Sequence, residues 1–219
     1  TTAPNHRPTQ TITGTITQST QWADEADYVV TGTVTVARGA QLTIRNPAAV
    51  VFAAEGDEPG KLVVNGRIEA VGEDSVDAVV FKAAEDAEEG DAWGVELNEI
   101  SRRAGFDFCR FEGVTYGVNS YNSSVKIENC FFNSCVNGVV LYKGDSLSVD
   151  GSRFEECGYG VKAELAPAAQ GDTVYVRGSV FEGCEEVGVD VKNFSIGMIN
   201  KSIFRNCDIA ISNVSQSDV

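Results

Sequence analysis

Short apolar–polar–apolar runs recur along the second half of the chain: Val125-Lys126-Ile127, Leu147-Ser148-Val149, Val174-Tyr175-Val176 and Ile196-Gly197-Met198. Such alternation predicts short strands with one face buried and the other in solvent. Each run leads into a segment centred on phenylalanine. The five segments read FCRFEGVTYGV (108–118), NCFFNSCVNGV (129–139), GSRFEECGYGV (151–161), GSVFEGCEEVGV (178–189) and KSIFRNCDIAI (201–211). Their anchors, Phe111, Phe132, Phe154, Phe181 and Phe204, stand 21, 22, 27 and 23 residues apart. After the anchor come Gly or Ala and a further apolar residue: Gly138-Val139, Gly160-Val161, Gly188-Val189 and Ala210-Ile211. One repeat therefore holds about three short strands and three bends. That is too little for a strand–helix–strand unit, whose crossover alone takes about a dozen residues. No segment sustains a helical apolar period. A strand-rich repeat of roughly 20–29 residues marks a solenoid, here an all-β parallel β-helix of about seven or eight coils.

Stacked coils put equivalent residues in columns about 4.8 Å apart. Phe132, Phe154, Phe181 and Phe204 are expected to form an internal aromatic ladder. Cys135, Cys157, Cys184 and Cys207, three residues further on, are expected to form a thiol ladder that Val114 begins. Two residues before the anchor, Cys109, Cys130, Ser152, Ser179 and Ser202 supply small side chains for a tight inward bend. The recurring glycine, Gly138, Gly160 and Gly188, is expected at a bend of positive φ.

The first half has the same construction in looser form. YVVTGTVTVARGAQLTI (28–44), AVVF (49–52), KLVVNGRIEAVG (61–72), AVVF (78–81) and WGVEL (93–97) read as strands punctuated by Gly and Asn. The positions Trp22, Tyr28, Gly32, Gly39, Leu42-Thr43-Ile44, Val64-Asn65-Gly66, Ala70, Gly72, Phe81 and Trp93-Gly94 resemble the opening module of secreted bacterial right-handed parallel β-helix proteins. The later repeats resemble the β-helix shared with pectate-lyase-like proteins, and the likeness covers roughly residues 22–212. A Pro-Gly bend common after the Leu-Thr-Ile segment is replaced here by Asn46-Pro47-Ala48-Ala49. The resemblance implies a right-handed coil and a secreted or cell-surface location. It implies no catalytic residue, because no matching motif is present.

With 219 residues the chain suffices for one solenoid with a sizeable core. Residues 1–21 are read as a Thr-rich strand, cap or donor segment and 22–219 as a single β-helix domain. The opening TTAPNHRPTQ shows no signal-peptide pattern and reads as a mature or trimmed N-terminus. No apolar stretch approaches the ~20 residues of a membrane span. The net charge is −15, and between Asp24 and Asp91 fifteen acids face five bases. The acids cluster between strands, as in Glu55-Gly56-Asp57-Glu58 and Glu85-Asp86-Ala87-Glu88-Glu89. A polyanion such as nucleic acid or pectate is therefore a poor partner for that half. Calcium is the one cofactor these acids would suit, although their spacing matches no calcium-binding loop; otherwise no cofactor is expected.

Candidate chemistry is sparse. The single histidine, His6, lies in a Pro-rich leader and leaves every serine and cysteine without an imidazole partner. Stacked thiols stand farther apart than the ~3.8 Å between the β-carbons of a disulfide, so the cysteines are expected to be free, buried and hydrophobic in role. One residue past each anchor, Glu112, Asn133, Glu155, Glu182 and Arg205 are expected to point outward. Glu155 and Glu182 would lie about 5 Å apart, near the spacing of a retaining glycosidase pair. Any repeat that reuses a polar turn residue produces the same proximity. Arg102, Arg103, Arg110 and Arg153 keep a lyase-like alternative open. Tyr116, Tyr121, Tyr142, Tyr159 and Tyr175 are candidate platforms for polysaccharide. Sequons at Asn122, Asn193, Asn200 and Asn213 matter only in a host that glycosylates them.

A solenoid also has two open ends with unpaired strand edges. Thr11, Ile12, Thr13, Thr15 and Ile16 at one end, and Ile209, Ile211 and Val214 at the other, are the expected assembly residues. Head-to-tail contact between them would make a filament. The expectation is a non-catalytic structural or adhesive β-solenoid whose partners are copies of itself. A carbohydrate-binding or polysaccharide-degrading protein is the alternative.

Overall fold

The computed structural model describes residues 7–98, 104–143, 146–164, 173–192 and 196–214. Among these there is no helix, and the ladders between successive coils are parallel. The strands form three faces of a β-helix. The first face is a sheet of β2 (Thr20–Trp22), β4 (Gln41–Arg45), β7 (Arg67–Val71), β10 (Ala104–Asp107), β13 (Val125–Glu128), β16 (Ser146–Asp150), β19 (Thr173–Arg177) and β22 (Ile196–Asn200). The second holds β5 (Ala49–Ala53), β8 (Val79–Ala83), β11 (Cys109–Glu112), β14 (Phe131–Asn133), β17 (Arg153–Glu155), β20 (Val180–Glu182) and β23 (Ile203–Arg205). The third holds β6 (Gly60–Val64), β9 (Ala92–Asn98), β12 (Tyr116–Tyr121), β15 (Asn137–Tyr142), β18 (Tyr159–Glu164), β21 (Val187–Lys192) and β24 (Ile209–Val214). The long strand β3 (Asp27–Val36) pairs with β5 through its first half and β6 through its second, joining the last two faces into one 16-stranded sheet. The eight strands of the first face count eight coils.

The expected aromatic ladder is present and longer than the repeats suggested. Phe81, Phe111, Phe132, Phe154, Phe181 and Phe204 stack with centroids 4.6–4.9 Å apart and planes within 8°. Val50, Tyr28 and Gln10 continue the column toward the N-terminus. The cysteines are free and line the interior, with only Cys207 partly exposed. Donation of its S–H to the neighbouring Cys135, together with burial, pushes the Cys157 thiol well above its usual range. Burial does the same for Cys109 and Cys184. The small-residue column also closes a hydrogen-bond account. The Ser152 hydroxyl accepts the Cys130 N–H (3.1 Å) and donates to Asp150 O (3.0 Å), and Ser179 repeats this on the next coil. Buried amides at the bend are thereby satisfied.

The role expected of the recurring glycine needs correction. Positive φ recurs elsewhere: after the third-face strands at Asn122 and Lys143, and in two columns that bracket the second face. One is Phe108, Asn129, Gly151, Gly178 and Lys201; the other is Gly113, Ser134, Glu156, Gly183 and Asn206. Gly117, Gly138, Gly160 and Gly188 are not in that conformation, and the reason for glycine is close approach. A β-carbon on any of them would stand 2.5–2.7 Å from the carbonyl oxygen of the next coil and 2.6–2.8 Å from the nearest carbon of its phenylalanine ring. Ala210 occupies the equivalent place in the last described coil.

At the N-terminal end, β1 (Thr9–Ile16) lies parallel on β3, Thr9–Ile12 on its first half and Gly14–Ile16 on its second. The Thr-rich segment is thus an outermost rung of the same coil. Ile12 and Ile16 pack partly against the core, while Thr9, Thr11, Thr13 and Thr15 are exposed.

Candidate functional site

The interior is filled by apolar side chains, so chemistry is confined to the outward faces and the ends. On the second face, charges are paired within and between coils. Arg153 binds Glu155 on its own strand and Glu182 on the next coil at 3.0 Å. Glu155 and Glu182 are neighbours in register, as expected, but a guanidinium bridges them. Arg110 donates to Glu112 at 3.0 Å and lies over the Phe131 ring. These pairs sit at half-exposed positions where ion pairs contribute little to stability.

On the first face, Asp150, Tyr175, Arg177, Met198 and Asn200 border a concavity of about 410 Å³. Arg177 donates to Asp150 at 3.1 Å and holds its carboxyl below the usual range. Tyr175 and Met198 are the exposed apolar residues there. The N-terminal acids serve local turns in part. Asp74 accepts the N–H groups of Val76 (2.7 Å) and Asp77 (2.9 Å), and these bonds hold its carboxyl low. Among the described residues, no group of three or more His, Cys, Asp or Glu converges as a metal would require. No helix there is long and apolar enough to cross a membrane.

The third face differs from both. Its outward positions form three columns. One flank carries Trp93, Tyr116 and Tyr159, with the Trp93 and Tyr116 rings 4.9 Å apart. The other carries Tyr121 and Tyr142, stacked at 5.1 Å. Glu96, Asn119, Val140, Lys162 and Asp190 run between them in strict register. Burial and, more weakly, the neighbouring Tyr116 push the Tyr142 hydroxyl up. Four of the five candidate tyrosines thus share one face, and Tyr175 lies on another. Trp93, Asn119 and Asp190 were not legible as site residues. Trp93 looked like a strand residue, and the two polar groups lie inside apolar runs.

The expected assembly residues lie at opposite ends of the coil. Thr11, Ile12, Thr15 and Ile16 pair with Val29, Val30, Thr35 and Val36, and Thr13 falls at the register shift between them. At the other end, Ile209 and Ile211 are 49% and 47% exposed, and the backbone of Val214 pairs with Lys192. His6, Arg102, Arg103 and Asn193 lie outside the described residues.

A family model described as the right handed beta helix region matches residues 93–219, more than half of the chain. No curated protein and no solved structure matches it.

Proposed function

The chain belongs to the right-handed β-helix family, and from that premise we propose that it is a non-catalytic extracellular scaffold, structural or adhesive, that joins copies of itself end to end. One observation carries this reading. Ile211 is 47% exposed on the last described coil, whereas Val189, its partner one coil inward, is fully buried. Ile203 and Ile209 are exposed beside it, and Phe204 is only partly covered. At the opposite end, β1 offers a strand edge of the same parallel sense, bearing Thr11, Ile12, Thr13, Thr15 and Ile16. A parallel coil has unlike edges at its two ends, so contact between copies is head-to-tail and does not close on itself. Light scattering across a concentration series tests the reading. Growth of mass with concentration is expected, and a monomer at every concentration overturns it.

A second reading, carbohydrate binding, is favoured by the aromatic columns of the third face. Polysaccharide cleavage is favoured less, because Arg153, the cation placed beside Glu155 and Glu182, is engaged with both. The reading assigns the protein no metal or cofactor.

A further inference from the structure

We propose that Cys109 and Cys130, stacked at the bend where the first face meets the second, hold one soft, thiophilic cation of the copper(I) or silver(I) class between their sulfur atoms. The inference goes beyond the scaffold reading and holds whether or not copies join end to end. The column two residues before each phenylalanine carries Ser152, Ser179 and Ser202 on three coils and cysteine on two adjacent ones. Arg110 pairs with Phe131 and Phe111 with Phe132, so Cys109 and Cys130 are neighbours in register. Their thiols are within hydrogen-bond reach of one another. A cavity of about 280 Å³ lies at this bend, and its lining includes Ser75, Cys109, Arg110, Asn129, Cys130 and Arg153. The two cysteines are 1% and 2% exposed, so what reaches them through that cavity is no larger than an ion.

Spacing decides which link the pair can make. Successive coils stand about 4.8 Å apart. A disulfide draws its sulfur atoms to about 2.05 Å and its β-carbons to about 3.8 Å, closer than parallel side chains on adjacent coils stand. Two metal–thiolate bonds of about 2.3 Å each, the length found with zinc, span about 4.6 Å when laid end to end. They bridge the coils without drawing them together. The donor set narrows the cation. Zinc wants four ligands, and among the described residues no group of three or more His, Cys, Asp or Glu converges. Calcium and magnesium want several oxygens, and the cavity has no carboxylate in its lining. Soft monovalent ions prefer thiolate and are satisfied by two sulfur ligands in line. Binding breaks two S–H bonds, releases two protons to water and forms two metal–sulfur bonds, with no change of oxidation state. The bis-thiolate so formed carries one negative charge. The guanidinium groups of Arg110 and Arg153 stand in the lining to offset it, while also holding Glu112, Glu155 and Glu182.

Silver(I), which takes part in no redox step here, is the probe. It is titrated into the reduced protein in chloride-free buffer and followed by native mass spectrometry. The tightest phase is expected to hold one ion per chain with two protons lost, and X-ray absorption at the silver edge to show two sulfur neighbours. Cys109→Ser and Cys130→Ser are each expected to weaken that phase at least about a hundredfold, more than losing an outer-shell partner costs a metal site. Serine is what this column uses on other coils, so both variants are expected to fold, and thermal melts check it. Cys207→Ser, at the partly exposed end of the other thiol column, is expected to bind as wild type. A wild-type protein that holds no silver overturns the proposal. So does a tight ion that survives in both serine variants, one lost in Cys207→Ser, or one with three or more sulfur neighbours.

Discussion

Gly138 lies against the ring of Phe154 one coil away, so close that a β-carbon on it would stand 2.7 Å from Phe154 Cδ1 and 2.5 Å from the Gly160 carbonyl oxygen. The aromatic ladder and the glycine column are therefore one device: each ring takes the space that a side chain on the preceding coil would fill. Gly138→Ala is expected to cost about 2–3 kcal/mol through overpacking, lowering the melting temperature by about 5–10 °C. Gly113→Asn is the contrast. Its φ is +66°, its nearest outside atom is 3.7 Å away, and Asn206 fills the same column in the last coil. That variant is expected to melt within a few degrees of wild type. Equal losses at both positions would show that close approach is not what distinguishes them.

The ladder itself can be weighed by truncating its rings. Phe154→Ala removes a fully buried side chain with rings stacked on both faces and is expected to cost about 3–5 kcal/mol in denaturant unfolding. Phe204 has a stacked neighbour on one side only and is partly exposed, so Phe204→Ala is expected to cost less than half as much. A larger loss at Phe204 would mean that the last described coil is covered in solution.

The thiol column gives a pH dependence of defined sign. Burial holds the Cys109 and Cys184 thiols above their unfolded values, and a hydrogen bond donated to Cys135 together with burial does so for Cys157. Unfolded thiols lose protons from about pH 8.5 upward while the folded ones retain them. Their contribution is present in full below that pH and is lost as pH rises, so melting temperature is expected to fall between about pH 8.5 and 10.5. A Cys157→Ala, Cys184→Ala double variant is expected to show a shallower fall. Without reductant, the denatured protein is expected to show six reactive thiols, and the native protein far slower reaction.

Assembly through the ends is separable from folding. Deleting residues 1–16 removes rung β1, and Ile211→Lys places a charge on the exposed isoleucine of the last described coil. Either change is expected to abolish concentration-dependent growth while the circular dichroism stays β-rich. Filaments that persist in both variants would reject contact through these edges.

Much of this architecture was legible because the repeat writes the core directly. Phenylalanine every twenty-odd residues, followed by cysteine after three, could only be an inward column, and alternation around Ile127 and Val149 set the strand faces. The bends were not legible, because their left-handed positions tolerate mixed residues: Phe108, Asn129, Gly151, Gly178 and Lys201 share a conformation and no composition. The conspicuous glycines misled for the opposite reason. Their composition is constant because a neighbouring ring demands it, not because their backbone does. On the third face, the four tyrosines were visible one by one. That Tyr121 stacks on Tyr142, and Trp93 lies against Tyr116, emerged only from the structure.

A coil assembled from near-copies of one unit risks mistaking another molecule's unit for its own continuation. The methyl group of Ala210 bears on that risk. It occupies the volume into which the ring of a following phenylalanine coil would have to move, whichever molecule offered that coil. Rung β1 presents Gln10, not an aromatic ring, in the same column. In the proposed assembly, that one carbon atom disfavours stacking of a phenylalanine coil on Ala210.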